Sequence, residues 1–412
     1  MIEFDSFTLE NGLKVYVHED KSVSMAVVNL LYDVGSRDEA EDKTGFAHLF
    51  EHLMFGGSKN IETFDEPLQK VGGENNAFTS TDITNYYITL PAQNIETAFW
   101  LESDRMLSLS FDPKVLEVQR SVVIEEFKQR YLNQPYGDTW LKLRPLAYHV
   151  HPYKWPTIGK EISHIENATM EDVSYFFNKF YIPNNAYLVV AGAVTLKQVK
   201  ELAEKWFGPI SSGNAYKRRL PQEPQQTSSR YDEIIAKVPV NALYKAYHMP
   251  GKLHHDYFTV DILADLLGRG KSSRLYNKLV KEKKLFSSIN AHISGSVEPG
   301  LLVIEGKLNK GILLEDGNSA IKELLEDLKS KRPEEEELFK VKNQAESSHL
   351  FGEMEVLNRA MNIAFAAAIG DANLVNQDLK KIQSVSTESI LQVSKEILTE
   401  ENCSTLFYRS EG

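Results

Sequence analysis

Between Ser211 and Arg230 the chain loses its apolar periodicity, running Ser-Ser-Gly-Asn, then Lys217-Arg-Arg, then Pro221-Gln-Glu-Pro-Gln-Gln-Thr-Ser-Ser. Such a stretch has too little apolar surface to form an element and reads as a linker. It divides 412 residues into two halves, each of ordinary single-domain size. The expected layout is 1–212, a linker at 213–229, and 230–412. Strand alternation and helical periodicity are mixed on both sides, so each half is expected to be α+β.

In the first half, Phe7-Thr-Leu, Leu13-Lys-Val-Tyr-Val and Ala26-Val-Val-Asn-Leu-Leu-Tyr read as strands. Thr44 to Phe55 reads as a helix ended by Gly56-Gly57, with Phe46, Leu49, Phe50 and Leu53 on one face. Phe78 to Leu90 is strand-like; Ile95 to Leu109, Pro113 to Tyr131 and Thr169 to Phe180 are helical, and Ala186 onward is a buried strand. The halves also echo each other. Helices starting at Thr169 and Thr387 are each followed, fifteen residues on, by Asn184 and Asn402 and then a strand. Setting Gly56 on Gly268 places His48, Glu51 and His52 on Val260, Leu263 and Ala264. The second half then repeats the scaffold without the ionisable groups.

Those groups form the motif His48-Leu-Phe-Glu51-His52. Residues four apart share a helix face, so two imidazoles can meet one ion, and Glu51 lies one turn after His48. Zinc suits neutral imidazole and carboxylate and tolerates an open position for water. Glu51 would be the general base. The single cysteine, Cys403, excludes an intramolecular disulfide and a Cys-based zinc site. A net charge of −12 argues against nucleic acid as a partner. No stretch is long and apolar enough for a membrane span. The start, Met1-Ile-Glu-Phe-Asp-Ser, lacks signal-peptide features; the expected compartment is cytoplasmic, or periplasmic had a leader been removed. Gly268-Arg-Gly-Lys-Ser-Ser imitates a phosphate loop, but Asp265 stands where such a loop needs glycine.

The chain resembles the pitrilysin, or insulinase, family of zinc peptidases, which includes mitochondrial processing peptidase and carries the His-x-x-Glu-His signature. The resemblance rests on Gly35-Ser-Arg-Asp-Glu, Thr44-Gly-Phe-Ala-His-Leu-Phe-Glu-His-Leu-Met-Phe, Gly72-Gly-Glu-Asn-Asn-Ala-Phe-Thr-Ser, Thr84-Asn-Tyr-Tyr, Val122-Val-Ile-Glu-Glu and Ser272-Ser-Arg-Leu. It implies two related domains, each a mainly antiparallel sheet packed with helices, together forming half of a clamshell chamber. It implies one zinc per chain and a third ligand at Glu126, with Glu125 the alternative one residue away. It places Gln119, where many relatives have glutamate, in a supporting position behind the metal. Asn76, Ala77 and Phe78 match the segment that pairs with peptide substrate as an added strand. Relatives also carry an Arg and a Tyr in the second half; here those positions hold Val280 and Ser287, while Arg274 and Tyr276 belong to a neighbouring packing motif. The implied function is a metalloendopeptidase working with a second, related subunit that supplies the Arg/Tyr pair, a homodimer ranking second. The competing readings are a non-catalytic scaffold subunit of a processing-peptidase-like complex, and a zinc-stabilised chamber that binds peptide without cleaving it.

Overall fold

The computed structural model describes residues 1–295 and 297–411, so the expected boundary at Gly412 lies outside the described residues. Two compact units form, and neither follows chain order. One comprises Met1–Lys128, Trp155–Leu220 and Leu350–Gln377; the other Gln129–Lys154, Pro221–His349 and the chain from Asp378. The division at 212 and 230 therefore needs amending, because each unit takes one segment from the other half.

Apolar demand explains the exchange. In the first unit, Val27, Leu31, Val189 and Ala191 project from one sheet face, and Ala360, Ile363, Ala364 and Ala367 of the helix Val356–Ala368 cover them. In the second, Leu143 and Ala147 of the helix Thr139–Ala147 cover Ala242, Tyr244, Ala246 and Leu406. Side chains alternate across a strand, so a sheet with apolar residues on both faces needs a cover on each.

The first sheet runs β1-β2-β6-β3-β5-β4: β1 Asp5–Thr8, β2 Lys14–Glu19, β3 Met25–Tyr32, β4 Glu74–Thr79, β5 Thr84–Pro91 and β6 Ala186–Gly192. The second runs β7-β11-β8-β10-β9: β7 Arg230–Ala236, β8 Ala242–Met249, β9 Phe286–Ser294, β10 Gly300–Leu308 and β11 Cys403–Ser410. Each has a single parallel pair, β2 with β6 and β7 with β11, and is otherwise antiparallel. Apart from β1 the two orders coincide strand for strand, so the repeat is real.

Its register differs by one residue from the spacing argument. The helix caps are Thr169 and Ser386, each accepting the backbone N–H three residues on. Asn185 donates to the carbonyl of Phe180, and Asn402 to that of Ile397, both at 2.9 Å. Asn402 thus corresponds to Asn185 rather than Asn184, whose amide instead holds Gly213. The Phe78–Leu90 stretch also differs: it is a hairpin, broken because Ser80 Oγ accepts the N–H groups of Asp82 and Ile83.

The linker forms no regular element, yet it is fastened. Arg218 pairs with Asp33 and Asp38 in the first unit. In the second, the Glu223 carboxylate accepts three consecutive N–H groups, from His149, Val150 and His151. Among the described residues no helix is long and apolar enough to cross a membrane.

Candidate metal centre

The motif helix spans Phe46–Leu53 and begins at Gly45, whose φ of 85° is left-handed and suits glycine. No side chain of its own sequence caps it. Glu39, nearly buried, reaches in from the preceding loop; its two carboxylate oxygens accept from Gly45 N at 3.0 Å and Ala47 N at 2.8 Å. A carboxylate there satisfies orphan donors and complements the helix dipole. Burial pushes the Glu39 carboxyl well above its ordinary range, and those N–H groups pull against it.

Phe46, Leu49, Phe50 and Leu53 face inward, with Phe50 against Phe176 and Tyr181. That leaves His48, Glu51 and His52 on the half-buried side. The helix Pro113–Phe127, started by the Asp112 cap, brings Glu126 to them. Glu126 Oε2 lies 3.7 Å from His48 Nε2 and 3.6 Å from His52 Nε2, and one ligand atom from each lies within 4.8 Å of the others. These separations are long for hydrogen bonds. They approach the ~3.3 Å between ligand atoms of a tetrahedral site with bonds near 2.0 Å. Two imidazoles and one carboxylate are also a donor set that zinc accepts. Glu125 points elsewhere: its side chain is 60% exposed and bonds Lys128 at 2.7 Å.

Glu51 is not a ligand in this grouping. Its carboxylate accepts from the hydroxyl of Thr79 on β4. Burial raises its pKa, the Thr79 bond opposes that, and the neighbouring Glu126 charge adds to the rise. Thr79 was not singled out from sequence, although alternation along β4 signals it: Asn75, Ala77 and Thr79 are the half-buried residues. The same alternation turns Asn76 and Phe78 to the exposed face, where Asn76 Oδ1 accepts from Ala77 N. Among the described residues no strand covers the outer edge of β4.

Gln119 is half-buried and makes no side-chain hydrogen bond among the described residues. Other support, missed from sequence, comes from beneath. Arg105, 1% exposed, forms a two-point pair with Glu102 and stacks near Tyr86 and Phe64. Tyr86 in turn shares a 3.0 Å hydroxyl contact with Tyr181. In the second unit, Arg274 is held by Glu337 at 2.7 and 2.9 Å, as a packing role requires. Val280 packs against the core and Ser287 bonds the Lys307 carbonyl.

Two family models match: "Insulinase (Peptidase family M16)" over residues 14–140 and "Peptidase M16 inactive domain" over 167–345. The chain is 36% identical over 297 residues to a zinc protease, PqqE, of Helicobacter pylori, a match covering 70% of this chain and 66% of that protein. It is 26% identical to a probable mitochondrial-processing peptidase subunit beta of Arabidopsis thaliana, over 63% of this chain and 50% of that one. The match therefore spans less than two thirds of either relative's length. Among solved structures, a protease from Helicobacter pylori superposes with a TM-score of 0.93 at 29% identity, covering 99% of this chain and 100% of that one. Fold, repeat and relatives together define a two-unit α+β protein of peptidase type. The chain belongs to the insulinase (M16) peptidase family.

Proposed function

We propose that this chain is a zinc-dependent metalloendopeptidase in which His48, His52 and Glu126 hold the metal and Glu51 is the general base. The observation that carries the reading is the convergence of those three ligand atoms beside a half-buried carboxylate that is not one of them. Relatives named zinc proteases support it. A zinc ion held there would acidify a water and polarise a peptide carbonyl. Glu51 takes the water's proton and delivers it to the leaving amine, and the Thr79 hydroxyl fixes which oxygen is free to do so. Peptide backbone pairs along the outer edge of β4, which no strand covers among the described residues. The retained base argues against a pure scaffold, which has no use for it.

The test is metal analysis combined with peptide cleavage. Wild type and Glu51→Gln should each hold one zinc, and only wild type should cleave. Full zinc occupancy in His52→Ala would sink the assignment. We also propose a second, related subunit that supplies the Arg/Tyr pair replaced by Val280 and Ser287. A relative named as a subunit supports it. Adding that subunit should raise the cleavage rate; full activity of the purified chain, with no gain from Val280→Arg plus Ser287→Tyr, would remove the idea.

A further inference from the structure

The repeat makes one substitution conspicuous. Equating Tyr32 of β3 with Tyr247 of β8, which pair with Ala186 and Cys403, and Asn185 with Asn402 ahead of β6 and β11, sets Leu30 on Lys245 and Leu188 on Thr405. Leu30 pairs with Leu188 across β3 and β6, and both are fully buried. Lys245 likewise pairs with Thr405 across β8 and β11, and Lys245 is only 1% exposed. The second unit has therefore placed an ammonium where the first has a leucine.

That ammonium is incompletely served. Lys245 Nζ donates to Asn318 Oδ1 at 2.9 Å and Thr405 Oγ1 at 3.0 Å, both neutral. An ammonium has three N–H groups, so one is left over. The side chain lines a cavity of about 150 Å³ together with Tyr247, Leu325 and Leu398. Arg230 lines the same cavity, and its Nη1 donates to the carbonyls of Leu146 and Ala147. Among the described residues neither cation has a carboxylate at ion-pair distance. The two rim carboxylates are already taken, Glu400 by Lys322 at 2.7 Å and Glu326 by Lys329 at 2.5 Å. Burying a cation without an opposite charge is costly, and a bound anion removes that cost.

We propose that this cavity binds a small carboxylate, one oxygen on the free Lys245 N–H and a short apolar tail against Tyr247, Leu325 and Leu398. The volume suits about six heavy atoms. The site lies wholly in the second unit and is independent of the proposed metal chemistry.

Calorimetric titration of the full chain with butyrate tests it, with inorganic phosphate as the rival probe. Wild type should bind butyrate saturably and at least tenfold more tightly than phosphate. Lys245→Leu, which restores the first unit's residue, should weaken butyrate at least tenfold while melting no lower than wild type. If that variant does not fold, Thr405→Val serves instead; it keeps the ammonium, frees a second N–H, and should bind butyrate at least as tightly. Undiminished binding by Lys245→Leu, a tenfold loss in Thr405→Val, preference for phosphate, or no saturable binding by wild type would each overturn the proposal.

Discussion

The helix Phe46–Leu53 and the helix Tyr257–Gly268 occupy matching places in two units with the same strand order, each packed beside its sheet's edge strand, β4 or β9. The first is short and keeps one side half-buried, where His48, Glu51 and His52 sit. The second is longer and buried on almost every side, with Val260, Leu263 and Ala264 all in the core. Gly268 ends it against β9 so closely that a Cβ would lie 1.8 Å from Ala291 N. A helix half-exposed on one side can carry ionisable ligands at a lower desolvation cost than one sealed against its sheet. The difference shows why a duplicated scaffold need carry its chemistry only once.

The sharpest break of that comparison is Glu51→Gln. Cleavage should fall on the order of 10³-fold, the scale of a lost general base, with zinc content unchanged. Changes at Leu263, its formal counterpart, should alter stability alone. Next, Glu126→Ala should weaken zinc on the order of 10²-fold or more, while Glu125→Ala stays within about twofold; competition with a metallochromic chelator distinguishes them.

The buried helix offers a test through pH. Asp261 is pushed up to about 6 from its ordinary 3.8, chiefly by burial and then by Asp265, against the pull of Lys252 and Arg269 and with Asp378 adding to the rise. A folded pKa above the unfolded one means the protonated form is favoured by folding. Its contribution is complete below about pH 4 and is lost as pH rises through about 6. Denaturation at pH 7 should therefore find Asp261→Asn more stable than wild type by about 2–3 kcal/mol, and the gap should close below about pH 4. The smallest effect concerns the caps. Thr169→Ala and Ser386→Ala should each cost about 1 kcal/mol, and a clearly unequal pair would break the equivalence drawn from their hydrogen bonds.

Much of the site was legible because its signals are local. His-x-x-Glu-His needs only helical geometry, β2 and β3 follow from alternation, and β6 follows from its continuous apolar run. What escaped was set by tertiary packing. Alternation marks Thr79 as facing inward, but its bond to Glu51 became legible only once β4 lay against the motif helix, and the Arg105–Glu102 pair only once aromatic rings had closed around it. The one-residue error in the repeat arose because Asn184 and Asn185 are adjacent and identical in type; only their hydrogen bonds separate them. The segment exchange left no local trace, since the Val356–Ala368 helix shows an apolar face without stating which sheet it will cover.

That exchange bears on how the chain is made. On a ribosome the strands of the first sheet emerge early, yet Ala360, Ile363, Ala364 and Ala367 arrive well over a hundred residues after Ala191. Until then Val27, Leu31 and Val189 lie open to solvent and to neighbouring chains. Contacts this distant in sequence slow folding and prolong exposure to aggregation. A nascent chain stopped anywhere before the Val356–Ala368 helix should therefore leave that apolar face exposed, because its first unit still lacks the helix that covers it.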